Sequence, residues 1–200
     1  MGKQLIISIG REFGSGGHEI AELLAKEFNL PFYDKNLIHA VAEEKQVDSS
    51  RLERYDEKPH FRLTSRTVRG FKNSPEEHIA QMQFDFIRNK AAQGESFVIT
   101  GRCAEHVLKH HPALVSIFVL ADMDEKVKRV SQRIPMQPKD MASYIARHNL
   151  KRKAYHNRHC DGKWGDSRNY DLSINSSRLG IQKTAEYLIK YIRERMDLMN

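Results

Sequence analysis

The sequence predicts an α/β fold in which short buried strands form a parallel sheet covered by helices on both faces. Three observations carry this. Leu5-Ile6-Ile7-Ser8-Ile9 is a short apolar strand that feeds a glycine turn, Gly10 to Gly17, and the turn opens an amphipathic helix. Further apolar runs recur downstream, alternating with segments of helical spacing, which is the pattern of parallel sheets. The chain has 200 residues, 40% of them hydrophobic, enough for one domain with a large core.

In chain order, residues 4–9 read as a central strand because they are a short apolar run, with only Gln4 and Ser8 polar. Residues 17–28 read as a helix, with Ile20, Leu23, Leu24 and Phe28 on one face. Pro31-Phe32-Tyr33 reads as a short strand, and Asp34 as a cap for a helix over 35–45. Residues 46–74 are polar and carry Arg51, Arg54, Arg62, Arg66 and Arg69. Two readings stay open there: a solvated insertion, or a mobile lobe that closes on an anionic substrate. A helix is expected over 76–93, a strand at Phe97-Val98-Ile99-Thr100, a helix over 102–110 and a strand over Leu114 to Leu120. Asp122 and Glu125 form a capping box for a helix over 123–132. After Pro135 and Pro138 comes one long basic helix, 137–159. A last strand covers 170–175, and Gly180 precedes a C-terminal helix with Ala185, Leu188, Ile189 and Ile192 on one face.

Composition excludes several classes. Thirty-three basic and 26 acidic side chains leave a formal charge of +7, a modest excess that suits an anionic small molecule as well as nucleic acid. Two cysteines give no disulfide framework, which points to a reducing compartment. No run reaches transmembrane length and the start does not resemble a signal peptide, so the expectation is a soluble, cytoplasmic protein away from membranes. The terminal Met196-Asp197-Leu198-Met199-Asn200 could pack internally or in a homodimer.

Chemistry concentrates in the loop 10–18. Gly14, Gly16 and Gly17 let backbone amides converge, and the start of a helix adds favourable potential for phosphate. Ser15 could donate a further hydrogen bond. Gly17 and His18 stand where a complete G-x-x-x-x-G-K-[ST] loop carries lysine and then a hydroxyl residue. Arg11 is the nearest replacement for the missing cation, since guanidinium grips phosphate oxygens in bidentate fashion. The dinucleotide spacing G-x-G-x-x-G is incomplete. Arg147, Lys151 and Arg158 can share one face of the basic helix, where they would neutralise a transferring phosphoryl group, contact a nucleic-acid backbone or simply be solvated. The lack of an aromatic platform for bases weighs against nucleic acid. Arg129 and Arg133 could face the cleft or pair with Asp122 and Glu125. Arg102 lies at the C-terminal end of a strand, where ligands collect in open sheets. Asp34 could orient magnesium, water or a substrate hydroxyl. His156, His159 and Cys160 have imperfect spacing and no evident fourth ligand, so no metal site is assigned. Cys103 has too apolar a setting for a nucleophile.

The chain resembles the cytidylate-kinase-like proteins of bacteria, relatives of cytidylate kinase among the nucleoside monophosphate kinases of P-loop fold. The resemblance rests on I9-G10-R11-E12-F13-G14-S15-G16-G17, P31-F32-Y33-D34-K35, I99-T100-G101-R102, W164-G165-D166 and Y170-D171-L172-S173-I174-N175-S176-S177. It implies a three-layer fold with a five-stranded parallel sheet, in one domain over 1–200. Residues 46–74, with Arg62 and Arg66, would belong to an acceptor-binding insertion, and about 134–168 to a lid. It further implies ATP and Mg2+, with donor phosphates held by Gly14, Ser15, Gly16, Gly17 and His18. Asp34 and Arg102 would stand on the acceptor side. Arg11, Arg129, Arg133, Arg147, Arg152 and Arg158 would supply catalytic charge, and the acceptor would be CMP or a related monophosphate. The departures from that family's pattern are Gly17, His18 and Glu19 in the lysine–hydroxyl stretch and one extra residue before Gly14. Another small-metabolite acceptor, or a nucleotide-binding module without turnover, remains compatible with these residues.

Overall fold

The computed structural model describes residues 3–34, 36–44, 67–68, 71–72 and 75–198. In chain order the elements are β1 (Ile6–Arg11), α1 (Gly17–Glu27), β2 (Phe32–Tyr33), α2 (Leu37–Glu44), β3 (Thr67–Val68), β4 (Phe71–Lys72) and α3 (Pro75–Ala92). There follow β5 (Phe97–Thr100), α4 (Ala104–Val107), β6 (Leu114–Leu120), α5 (Met123–Ser131), α6 (Pro138–His159), a 3-10 turn at Ser167–Asn169, β7 (Leu172–Asn175) and α7 (Gly180–Leu198).

Five strands form one parallel sheet in the order β2-β5-β1-β6-β7. Alternation along the strands splits the core into two layers. Leu5, Ile7 and Ile9, with Val98, Val115 and Ile117, meet Ile20 and Leu24 of α1 and Leu188 and Ile192 of α7. Ile6, Phe97, Ile99 and Leu114 meet Leu37 and Val41 of α2 and Phe86 and Ile87 of α3 on the other face. The three-layer fold with five parallel strands is therefore as expected. β3 and β4 pair antiparallel inside the 46–74 stretch, which the sequence did not suggest. Arg62 and Arg66 lie outside the described residues.

Three local expectations need correction. The helix expected over 102–110 is one turn, Ala104–Val107, because it starts from left-handed residues and gives way to turns before Pro112. Asp122 makes no side-chain cap on α5. Its carboxylate accepts from Asn175 Nδ2 at 2.8 Å and pairs with Arg178, because the neighbouring β7 end brings stronger partners than the local N–H groups. Asp34 offers α2 only its backbone carbonyl, to Leu37 N at 3.1 Å, and its side chain turns into the cleft.

Helix α6 is anchored by one stripe. Met141 and Ile145 are fully buried against Val130 of α5, while Phe13 of the glycine turn packs on the same cluster. At the chain's end, Met196 packs on the core and Leu198 is exposed. Among the described residues, no helix is long and apolar enough to cross a membrane.

Candidate active site

The C-terminal ends of β1, β2 and β5 converge on two cavities, as the topology of open parallel sheets leads one to expect. The larger, about 390 Å³, runs along the glycine turn and is lined by Gly14, Gly16, Gly17, His18, Glu19, Asp34, Arg129 and Arg133. The smaller, about 40 Å³, lies beyond it and is lined by Arg102, Cys103, Lys151, Tyr155, Trp164 and Tyr170. Arg11 and Arg152 line both, and so stand in the shared wall.

The turn takes its shape from glycine where side chains would collide. Gly14 and Gly16 have φ of +79° and +80°, and a Cβ at Gly16 would sit 2.7 Å from Ile181. Gly16 caps α1 without a side-chain bond, and the first turn of the helix, which carries Glu19, borders the large cavity. Ser15 departs from its expected role. It is fully buried, and its N–H and hydroxyl both donate to the Glu12 carbonyl, which closes the turn from inside.

The turn is braced from behind. Arg129 donates to the Ser15 carbonyl at 2.9 Å and to Ser176 Oγ at 3.0 Å, and Ser176 Oγ donates to the same Ser15 carbonyl at 2.6 Å. Arg129 also lies 3.8 Å from Glu125. Lys126 donates to Glu12 at 2.7 Å. Phe13, just before Gly14, docks on α6: its ring stacks on His148 at 4.3 Å and its N–H donates to Asn149 Oδ1 at 2.7 Å.

The fate of the missing lysine is visible in the packing. A Cβ at Gly17 would lie 2.5 Å from Arg11 Cβ, so the Arg11 side chain fills the space a larger residue 17 needs. The Arg11 guanidinium reaches across the face of Gly101 to donate to Asp34 Oδ1 at 3.0 Å. Asp34 also accepts from Thr100 Oγ1 at 2.5 Å and faces His18 Nδ1 at 2.9 Å. Burial alone would raise its pKa, but Arg11, Thr100, His18 and Arg102 outweigh it and hold the carboxyl below its ordinary range. Glu19 pairs with Arg133. Burial pushes Glu19 up, while its backbone bond and Arg133 bring it down, to a net lowering.

On α6, the arginine in the cleft is Arg152. It donates to the Arg11 carbonyl at 3.0 Å and lies 5.5 Å over the Phe13 ring. Arg147 and Arg158 are exposed and line neither cavity. Arg102 is 7% exposed in a run of three left-handed residues, Gly101, Arg102 and Cys103, that bends the chain sharply at the end of β5. Sequence reasoning gave no role to Thr100, Tyr155, Trp164 or Tyr170, although Thr100, Trp164 and Tyr170 stand in the runs that carry the family resemblance; Tyr155 had no such signal.

The family model of the cytidylate kinase-like family matches residues 6–178. The crystal structure of an uncharacterized protein from Eubacterium ventriosum is similar at 39% identity, covering 95% of this chain and 99% of that chain, with a TM-score of 0.76. Shikimate kinase from Bacteroides thetaiotaomicron is 14% identical, covering 94% of this chain and 98% of that chain, with a TM-score of 0.55. Shikimate kinase from Acinetobacter baumannii, in complex with shikimate, is 11% identical, covering 96% and 94%, with a TM-score of 0.52. At such identities the two kinases share the fold alone. No curated protein matches the chain.

Proposed function

The chain belongs to the cytidylate kinase-like family, and on that premise we propose that it transfers the γ-phosphoryl group of ATP to a nucleoside monophosphate, with CMP or dCMP as the first candidates. The observation that carries this reading is the placement of Arg11 and Arg152 in the wall common to the two cavities. A phosphoryl group passing from the larger cavity to the smaller would travel beside two guanidinium groups.

Phosphoryl transfer needs positioning and charge neutralisation more than covalent chemistry. The α1 N-terminus and the glycine turn would hold the donor phosphates. Arg11, anchored by Asp34, would meet the charge that spreads over the transferring group, and Arg102 and Lys151 would hold the acceptor's anion. Arg129 is a positioning residue that fixes the turn. For Mg2+ the larger cavity offers three carboxylates as hard oxygen donors, Glu12, Glu19 and Asp34, which pair with Lys126, Arg133 and Arg11. When bound with ATP, the ion would neutralise phosphate charge. Two unlinked cysteines suit a reducing, cytoplasmic setting, where ATP is abundant.

One observation favours a second acceptor class. Asp34 lies beside the shared wall, where its carboxylate would accept a hydrogen bond from an acceptor hydroxyl and orient it. Steady-state transfer from ATP and Mg2+, across ribo- and deoxyribonucleoside monophosphates and a panel of small hydroxylated metabolites, separates the two. Turnover on CMP or dCMP supports the first reading, turnover on a hydroxylated metabolite alone supports the second, and ATP binding without any turnover leaves a nucleotide-binding module.

A further inference from the structure

On one wall of the smaller cavity, and reaching behind it, lies a cluster to which the transfer reading gives no role. Glu105, His156 and Cys160 bring a carboxylate oxygen, an imidazole nitrogen and a thiol within 4.8 Å of one another. They are 5%, 5% and 9% exposed. Cys103, 3% exposed, packs in the same buried cluster as Cys160. These donors come from two places in the chain. Cys103 and Glu105 flank the sharp turn after β5, and His156 and Cys160 are four residues apart at the end of α6, on one helical face.

We propose that Cys160, His156 and Glu105, with Cys103 as fourth donor, form a binding site for Zn2+ that ties the end of α6 to the turn after β5. The donor chemistry selects the ion. Two sulfurs, one nitrogen and one oxygen suit borderline-soft Zn2+, whereas Mg2+ wants oxygen alone. Tetrahedral bonds of about 2.0–2.3 Å put neighbouring donors about 3.3–3.8 Å apart; the donors of Cys160, His156 and Glu105 already lie within 4.8 Å of one another, and Cys103, packed in the same cluster as Cys160, would turn its thiol to join them. His156 Nε2 and Glu105 Oε1 now stand at 2.8 Å, so a small separation of these two side chains opens the position between them.

Charge points the same way. Two thiolates and one carboxylate carry three negative charges, Zn2+ carries two positive, and the buried Arg102 beside Cys103 supplies the remaining one. The surroundings are otherwise apolar, with Ala80, Phe84 and Tyr155 packed around the two cysteines, and an unbalanced charge there would be costly. An entry path exists, since Glu105, His156 and Cys160 also border a third cavity of about 480 Å³ on the far side. His159, the third residue of the sequence cluster, is not a donor: its Nδ1 faces Glu77 at 3.5 Å and its ring packs on Phe84 and Tyr155.

The test is direct metal analysis of the full-length reduced protein. Wild type titrated with Zn2+ should take up one ion per chain, and titrated with Co2+ it should develop the intense thiolate-to-cobalt charge-transfer absorption. Cys160→Ser should lose about half or more of that absorption, the remainder belonging to Cys103, Glu105→Gln should keep it and bind at least tenfold more weakly, and His159→Gln should match wild type. Circular dichroism checks that each variant is folded. Should Cys160→Ser fail to fold, wild type and Glu105→Gln decide the matter alone. Wild type that takes up no stoichiometric zinc, or that binds cobalt without the sulfur signature, overturns the site, as does full retention of affinity in Glu105→Gln. None of these readouts depends on turnover, so the site and the phosphotransferase reading stand or fall separately.

Discussion

The two cavities of the cleft are built differently. The larger is floored by backbone, from a turn whose glycines leave no room for side chains and whose carbonyls are clamped by Arg129 and Ser176. The smaller is walled by long side chains, Arg102, Lys151, Tyr155 and Trp164, drawn from distant parts of the chain. Backbone suits a ligand part common to every nucleotide, the phosphates. Side chains suit a part that varies, and acceptor choice should therefore reside in the smaller cavity. Arg11 belongs to both, with its backbone in β1 and its guanidinium on Asp34.

The largest expected effect comes from forcing the usual lysine into the turn. Gly17→Lys should abolish transfer rather than improve it, because its Cβ would drive Arg11 from its channel. Overpacking of this kind costs about 1–3 kcal/mol. The checks are ATP affinity by calorimetry, turnover and melting temperature. Gly17→Ala should already show most of the loss, since the clash is with Cβ. A faster enzyme from Gly17→Lys would show that Arg11 does not do the lysine's work.

Next in size is Arg11→Ala, which should lower kcat about 1,000-fold, the range seen for arginines that meet transition-state charge. Arg11→Lys should recover little, because a lysine lacks the fork that reaches Asp34 and the transferring group together. A variant that alters KM for ATP alone would instead make Arg11 a ground-state binder.

The turn was legible in the sequence and the smaller cavity largely was not, for a physical reason. Glycines at 14, 16 and 17 after an apolar strand sit within a few residues of one another, and backbone geometry makes their consequence local. The strands were legible for a related reason: β1, β5 and β6 are apolar runs with their own boundaries, and β7 alternates apolar and polar residues. Trp164, Tyr170 and Tyr155 reach the same cavity as Arg102 only through the packing of α6 and β7 against the sheet, which no local pattern encodes. Arg152 against Arg147 and Arg158 makes the point within one helix. All three are basic and close in sequence, yet the stripe set by Met141 and Ile145 turns only Arg152 to the cleft. The Asp122 capping box failed likewise, because Asn175 arrives from another strand.

Arg129→Met should act on the larger cavity alone. Losing hydrogen bonds from a charged group to the turn's carbonyls costs about 1.5–3 kcal/mol. The expected outcome is a KM for ATP raised about tenfold or more, with the acceptor KM unchanged. An equal rise in both would mean that the turn and the smaller cavity do not move independently.

The smallest effect is the one in which the pH sign matters. The Asp34 carboxyl is held below its ordinary range when folded, so its contribution to stability is complete above the unfolded value, about 3.9, and is lost as pH falls through the lower folded value. Asp34→Asn should therefore be less stable than wild type at neutral pH, by about 1 kcal/mol for a partly buried pair. The difference should shrink below about pH 4. Urea unfolding of both proteins across that range is the measurement. A gap that stays constant with pH would mean that Arg11 is held by packing against Gly101 and Gly17 rather than by charge, and that the shared wall keeps its shape without its anion.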